Sequence, residues 1–174
     1  MTMKRWEQLY VELQRKAEKL GYDVPMTIGS DNSQTFEYRI KKKPVLLIAF
    51  RDLGLKPKYS SPNRLWSEGL DLVLKRYIEL AKQTPLEKLP PAIAIVVDNI
   101  GDSYVVVTMN ELFELYRERI KSSISKSRKF TFVVERRDMK YYLVMPEGLP
   151  EVPLLNVSRM DSIVVLLKKL RMAS

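Results

Sequence analysis

Residues 45–50 read VLLIAF, a run that is apolar on both faces of any strand it forms. A second such run, AIAIVV, occupies 92–97. Strands of this kind need cover on both sides, so the chain has to build a sheet between two layers. Between the runs, residues 65–82 carry apolar side chains at helical spacing, with Leu65, Leu72, Tyr77, Leu80 and Ala81 as core positions. Strand, crossover helix and second apolar strand predict a βαβ unit in a mixed α/β sheet with helices on its faces.

The flanking sequence extends that frame. Trp6, Leu9, Leu13, Ala17 and Leu20 form one apolar stripe and predict a helix over residues 3–20, closed by Gly21. Residues 24–28 predict a short strand or loop, and 29–34 a polar turn. Residues 35–40 alternate: Phe36, Tyr38 and Ile40 face one way, Thr35, Glu37 and Arg39 the other. Lys41, Lys42 and Lys43 make a basic turn, and Pro44 starts the next strand, where its missing N–H is tolerated. On that strand Val45, Leu47, Ala49 and Arg51 share a side. Further on, the sequence predicts a strand at 104–107, a helix at 110–120, a basic linker at 121–128 and a hairpin (129–135 and 140–145) turning at Arg137-Asp138. A loop at 148–153 and a terminal helix at 161–170 complete the chain. The expected division is a core at 1–125 and a small C-terminal β-hairpin-helix extension at 126–174 packed on it.

Composition removes much chemistry. There is no cysteine and no histidine. Disulfides, thiolate metal sites, Ser-His or Cys-His catalysis and histidine-ligated zinc are excluded. Carboxylates, Lys, Arg, Tyr, Ser and Thr remain, so a catalytic metal would be a hard cation such as Mg²⁺. The net charge of +9 favours an anionic partner, nucleic acid being the commonest. Nine basic residues against three acids give 117–140 a net +6. DNA contacts through phosphates are therefore expected from Arg128, Lys129, Arg136 and Arg137, and from the Lys41, Lys42, Lys43 turn. A lysine-rich solvated surface on a protein-interaction module is the other reading of the same charge. No apolar run approaches the roughly 20 residues a bilayer span needs, and the N-terminus is charged and amphipathic, so no membrane and a cytoplasmic location are expected. A Cys-free chain rich in Glu, Lys and Arg also fits a thermophile.

Phosphodiester hydrolysis without histidine needs a metal to activate water and neutralise charge on phosphate. Two carboxylates from adjacent strands can hold it, and a nearby Lys or Arg steadies the developing charge. An acid-x-Lys pair on a strand points both groups the same way. This chain reads FEYRIKKKPVLLIAFRDLG, then LWSEGLDLVLKRYIELAKQ, then AIAIVVDNIGDSYVVVT. Over roughly residues 4–118 it resembles the core of the PD-(D/E)XK nuclease superfamily, in particular the N-terminal nuclease domain of type I restriction motor subunits. The resemblance implies a restriction-endonuclease-like mixed sheet flanked by helices, a metal-dependent DNA endonuclease using Mg²⁺ or Mn²⁺, and a homodimer. Glu37 matches the first acid of the pattern, with Glu for the usual Asp. Ala49 falls where the second acid belongs and cannot bind metal. Arg51 falls on the Lys position, keeping charge without the point-donor geometry of lysine. Tyr77 matches the end of a helical Gln-x-x-x-Tyr feature whose Gln position holds Val73. The first-helix acid that helps bind metal in relatives falls on Glu12 or Glu7, and Asp52 and Asp31 are further acids near the site. Two functions follow: an endonuclease, or an inactivated form of one, built on Glu37, Ala49, Arg51 and Glu12; and a catalytically inactive DNA-binding or nuclease-accessory protein.

Overall fold

The computed structural model describes residues 5–30, 33–52, 54–55, 64–68, 70–98, 103–109, 131–138, 140–144 and 152–157. Among them, helix α1 (Arg5–Lys19) follows the apolar stripe, burying Leu9, Leu13 and Ala17. Gly21, at φ 83°, closes it: the Gly21 and Tyr22 amides donate back to the Glu18 and Ala17 carbonyls. Glycine takes this left-handed closure without a Cβ penalty. Leu20, expected on the stripe, falls in the closing turn and is exposed.

Strand β1 (Met26–Thr27) leads to β2 (Thr35–Ile40) and β3 (Lys43–Asp52). β2 and β3 form an antiparallel hairpin that sets Glu37 opposite Leu47 and Thr35 opposite Ala49. Its register shifts between Tyr38 and Arg39, and Arg39 then pairs with Pro44. β4 (Gly54–Leu55) and β5 (Arg64–Glu68) precede helix α2 (Asp71–Gln83). β6 (Ala92–Asp98) returns parallel to β3 with Ala94 beside Ala49, so the βαβ unit is present. β7 (Ser103–Thr108), β8 (Thr131–Arg137), β9 (Lys140–Leu143) and β10 (Val152–Val157) follow.

Two expectations are corrected. Residues 64–68, assigned to a helix over 65–82, are a strand paired with β8, and the helix begins only at Asp71. A glycine at 69 stands between, a weak helix former at the junction, and strand pairing overrides the helical spacing of Leu65. Val152 and Pro153, assigned to a loop, open β10. Its first half pairs with β9 and its second half with β7. Among the described residues, Pro153 lies in the half that pairs with β9 only, and a strand with one neighbour tolerates proline where its nitrogen faces away from the ladder.

The fold is mixed α/β. The described strands run β1-β2-β3-β6-β7-β10-β9-β8-β5-β4 in one sheet. β3 is third and β4 last, yet one residue separates them in the chain, so the sheet curls back on itself. One sheet also crosses the expected 125/126 boundary, since β8, β9 and β10 lie between β7 and β5. The hairpin at Arg137-Asp138 is present as β8–β9. The helices expected at 110–120 and 161–170 and the linker at 121–128 lie outside the described residues.

β3 splits the core in two, as its alternation requires. Leu46, Ile48 and Phe50 pack with Phe36, Tyr38 and α1. Leu47 and Ala49 pack with Val73, Leu74, Tyr77 and Leu80 of α2, and with Val134, Tyr141, Leu143 and Leu154 from the curled part of the sheet. The helices therefore cover opposite faces of β3. Gly29, at φ 80°, lets Leu72 of α2 approach: a Cβ there would lie 2.8 Å from the Leu72 Cδ1.

Candidate functional site

Glu37 sits mid-way along β2, on the face covered by α2. Its side chain is 0% exposed. A buried carboxylate survives only when charged or hydrogen-bonded partners replace water. Glu37 has two. Arg76 Nε of α2 donates to Oε1 at 2.6 Å, and Arg39, two residues along β2, donates to Oε2. Burial alone would raise the Glu37 carboxyl. The hydrogen bonds from Arg76 and Arg39, with their charges, outweigh it and hold the group below the ordinary glutamate range. The same bond pushes the Arg76 guanidinium up. Arg76 also meets Glu79, one helical turn on, at 3.4 Å.

The predicted catalytic residues Glu37, Ala49 and Arg51 share one face of the β2–β3 hairpin. Ala49 is fully buried under α2, flanked in register by Thr35 and Ala94. Arg51 lies further along that face. Its Nη1 donates to the Phe50 carbonyl at 2.7 Å and the Gln34 carbonyl at 3.3 Å, and its Nη2 to the Thr35 hydroxyl at 3.2 Å. Glu12 is not brought to Glu37. It lies on α1, across the sheet, and pairs with Arg15. The side chain of Asp52, and Asp31 as a whole, lie outside the described residues. Among the described residues no group of three or more acids could hold a metal ion. The side chains that do converge do not fit a divalent cation: both oxygens of Glu37 face guanidinium groups, and Ala49 offers no ligand.

The predicted DNA contacts divide. Lys41, Lys42 and Lys43 are exposed at the tip of the β2–β3 hairpin. Lys41 and Lys42 have φ of 49° and 69°, and the Lys42 amide donates to the Asp23 carboxylate at 2.9 Å. Arg137 is exposed, with its guanidinium 4.2 Å from the Tyr142 ring centroid. Arg136, expected among the phosphate contacts, is committed inward instead. It donates to Asp98 Oδ2 at 2.6 Å. Asp98 ends β6, where the last turn-ward residue of an apolar strand is 1% exposed and needs donors. Tyr141 of β9 supplies a second, its hydroxyl 2.5 Å from the same oxygen. Burial, then the adjacent carboxylate, pushes the Tyr141 hydroxyl up. Arg128 and Lys129 lie outside the described residues.

Arg39, Arg76, Asp98 and Tyr141 are the polar residues that sequence reasoning missed. Arg39 was detectable, since period two puts it on the face of Glu37. Arg76 was not, because helix spacing does not say which strand residue a helix covers. Compared with known families, characterised proteins and solved structures, the chain matches none.

Proposed function

We propose that this chain is a DNA-binding protein on a restriction-endonuclease-like scaffold that does not hydrolyse phosphodiesters. One observation carries the loss of hydrolysis: the buried Glu37 carboxylate is held by Arg39 and Arg76, with alanine at 49. The acid that would serve a metal serves two guanidinium groups.

DNA as the partner is supported by the net charge of +9 and by the lysine tip. A two-residue hairpin turn with φ above zero at both positions is held most cheaply by Asn-Gly. Lysines there accept backbone strain and present two cations at a turn whose Lys42 amide is held by Asp23. Contacts of this type give affinity and salt dependence with little choice of sequence.

The test is filter retention of labelled linear, supercoiled, single-stranded and branched DNA at rising salt, with cleavage scored in Mg²⁺ and Mn²⁺. Retention that falls with salt and no cleavage is expected. Cleavage stopped by EDTA would overturn the inactive reading. No retention at low salt would overturn DNA as the partner.

A further inference from the structure

The Glu37 cluster has a property beyond neutralising an acid. Glu37 is fully buried, but Arg39 and Arg76 are 26% and 28% exposed. Each guanidinium carries five N–H donors in a fixed plane. Arg39 turns Nε and Nη2 toward Glu37; Arg76 turns Nε to Glu37 and Nη1 toward the exposed Glu79. Among the described residues, the rest of each donor fork has no partner, at half-open positions on two different elements. The trio of Glu37, Arg39 and Arg76 carries a net +1, and Glu79 offsets it only through a 3.4 Å surface pair, which solvent weakens. The buried carboxylate fixes the orientation of both guanidinium groups and lets two like charges lie side by side. The register shift at Tyr38/Arg39 falls where the chain turns Arg39 into place, as bulges beside binding sites do.

We propose that Arg39 and Arg76 form a phosphate clamp that takes one backbone phosphodiester of DNA, with Glu37 as the positioning residue beneath it. Planar guanidinium forks match phosphate oxygens in pairs, which single lysines do not. A nuclease would place metal on carboxylates here and bring phosphate to the metal. This chain instead offers phosphate the cations directly. The inference rests on the DNA-binding reading and names the site within it. Phosphate displaces Glu79 from Arg76 as it binds.

The experiment is arginine Nε–Hε NMR of the whole wild-type chain, titrated with inorganic phosphate and with a ten-nucleotide oligothymidine. Both Arg39 and Arg76 signals are expected to move together along one saturating curve with either probe. Filter retention of Arg76→Lys and Arg39→Lys, which keep charge but lose the fork, should be weaker by about tenfold, the scale of one charge-assisted bonding pair. Because Glu79 is exposed, Glu79→Gln leaves the fold intact and should tighten retention two- to threefold by an order-of-magnitude screening argument. Glu87→Gln, at another exposed acid, should not. Motion of the lysine-tip amides with oligothymidine while Arg39 and Arg76 stay still would overturn the clamp and leave DNA binding standing. A response to inorganic phosphate but none to oligothymidine would overturn the DNA assignment of the site. Equal effects of Glu79→Gln and Glu87→Gln would reduce the clamp to general charge and overturn it. No retention of any DNA by the wild type would instead remove the functional reading itself.

Discussion

At the scale of single residues, the structure places one ionised group where it is expensive and one neutral group where it is wasted. Glu37 is stabilising only while ionised, because its partners are cations. Its carboxyl lies below the ordinary glutamate value, so its contribution is complete above that range. It is lost as pH falls through the lowered value. Glu37→Gln keeps the shape but drops the charge, and should cost about 2–3 kcal/mol at neutral pH. Urea unfolding of both proteins checks this. The gap between them should be constant at neutral pH and shrink once the pH falls below the ordinary glutamate range. A gap that widens in acid would contradict the ionised, doubly bonded state. Tyr38 is the opposite case. It is 1% exposed, and its hydroxyl has no hydrogen-bond partner among the described residues. Burial also pushes that hydroxyl far up. Tyr38→Phe removes an unpaired polar atom and keeps the ring against Tyr22, so stability should stay level or rise by about 1 kcal/mol. A clear loss in a thermal melt would mean that the hydroxyl has a partner.

At the scale of elements, the sheet depends on side chains that cross between its two curved parts. Asp98 ends β6, while its donors Arg136 and Tyr141 come from β8 and β9. Tyr141→Phe leaves a buried carboxylate one donor short and should cost about 1–3 kcal/mol, read as a lower melting temperature. Replacing Lys41-Lys42 with Asn-Gly should act the other way on stability. Relief of two strained positions should add about 1 kcal/mol in urea unfolding, while retention of DNA weakens. Stabilisation without weaker retention would remove the lysine tip from the DNA surface.

These elements also mark what the sequence could reveal. The apolar runs at 45–50 and 92–97, the alternation at 35–40 and the stripe on α1 follow local rules, so the hairpin, the parallel pair and the split core were legible. β5 and the start of β10 were not. Leu65 has helical spacing to Leu72, and Pro153 looks like a loop residue, yet each is set by a distant pairing partner, β8 or β9. The site divided similarly. Glu37 was visible by its place on the hairpin, but its Arg76 partner depends on how α2 lies over β2. Arg136 seemed a surface cation because the burial of Asp98 depends on the curl of the whole sheet.

At the scale of the whole molecule, two groups among the described basic residues lie at opposite ends of the sheet. The lysine tip lies at the start of β3. Arg136 reaches Asp98 at the end of β6, beside the end of β3, so the β8–β9 turn with Arg137 and Lys140 lies at the other end. A ten-residue strand puts these ends roughly 30 Å apart. An eight-base-pair duplex spans about 27 Å and a sixteen-base-pair duplex about 54 Å, so only the longer one reaches well past both. Neutralising the tip (Lys41→Gln with Lys42→Gln and Lys43→Gln) should weaken both duplexes and lower the salt slope by about three, roughly one per phosphate contact. Neutralising Arg137 and Lys140 should weaken the longer duplex alone. Equal losses on the short and long duplexes would defeat the two-ended arrangement. The same assay decides what Ala49 means. Ala49→Glu adds a carboxylate on the face of Glu37, but it enters a fully buried site under α2 and leaves Arg39 and Arg76 on Glu37. It should therefore lose several kcal/mol of stability, about the cost of an unpaired buried charge, and gain no cleavage in Mn²⁺. If EDTA-sensitive cleavage appeared with Ala49→Glu, the two guanidinium groups would have to release Glu37 to a metal, and the scaffold would be one substitution from a working nuclease.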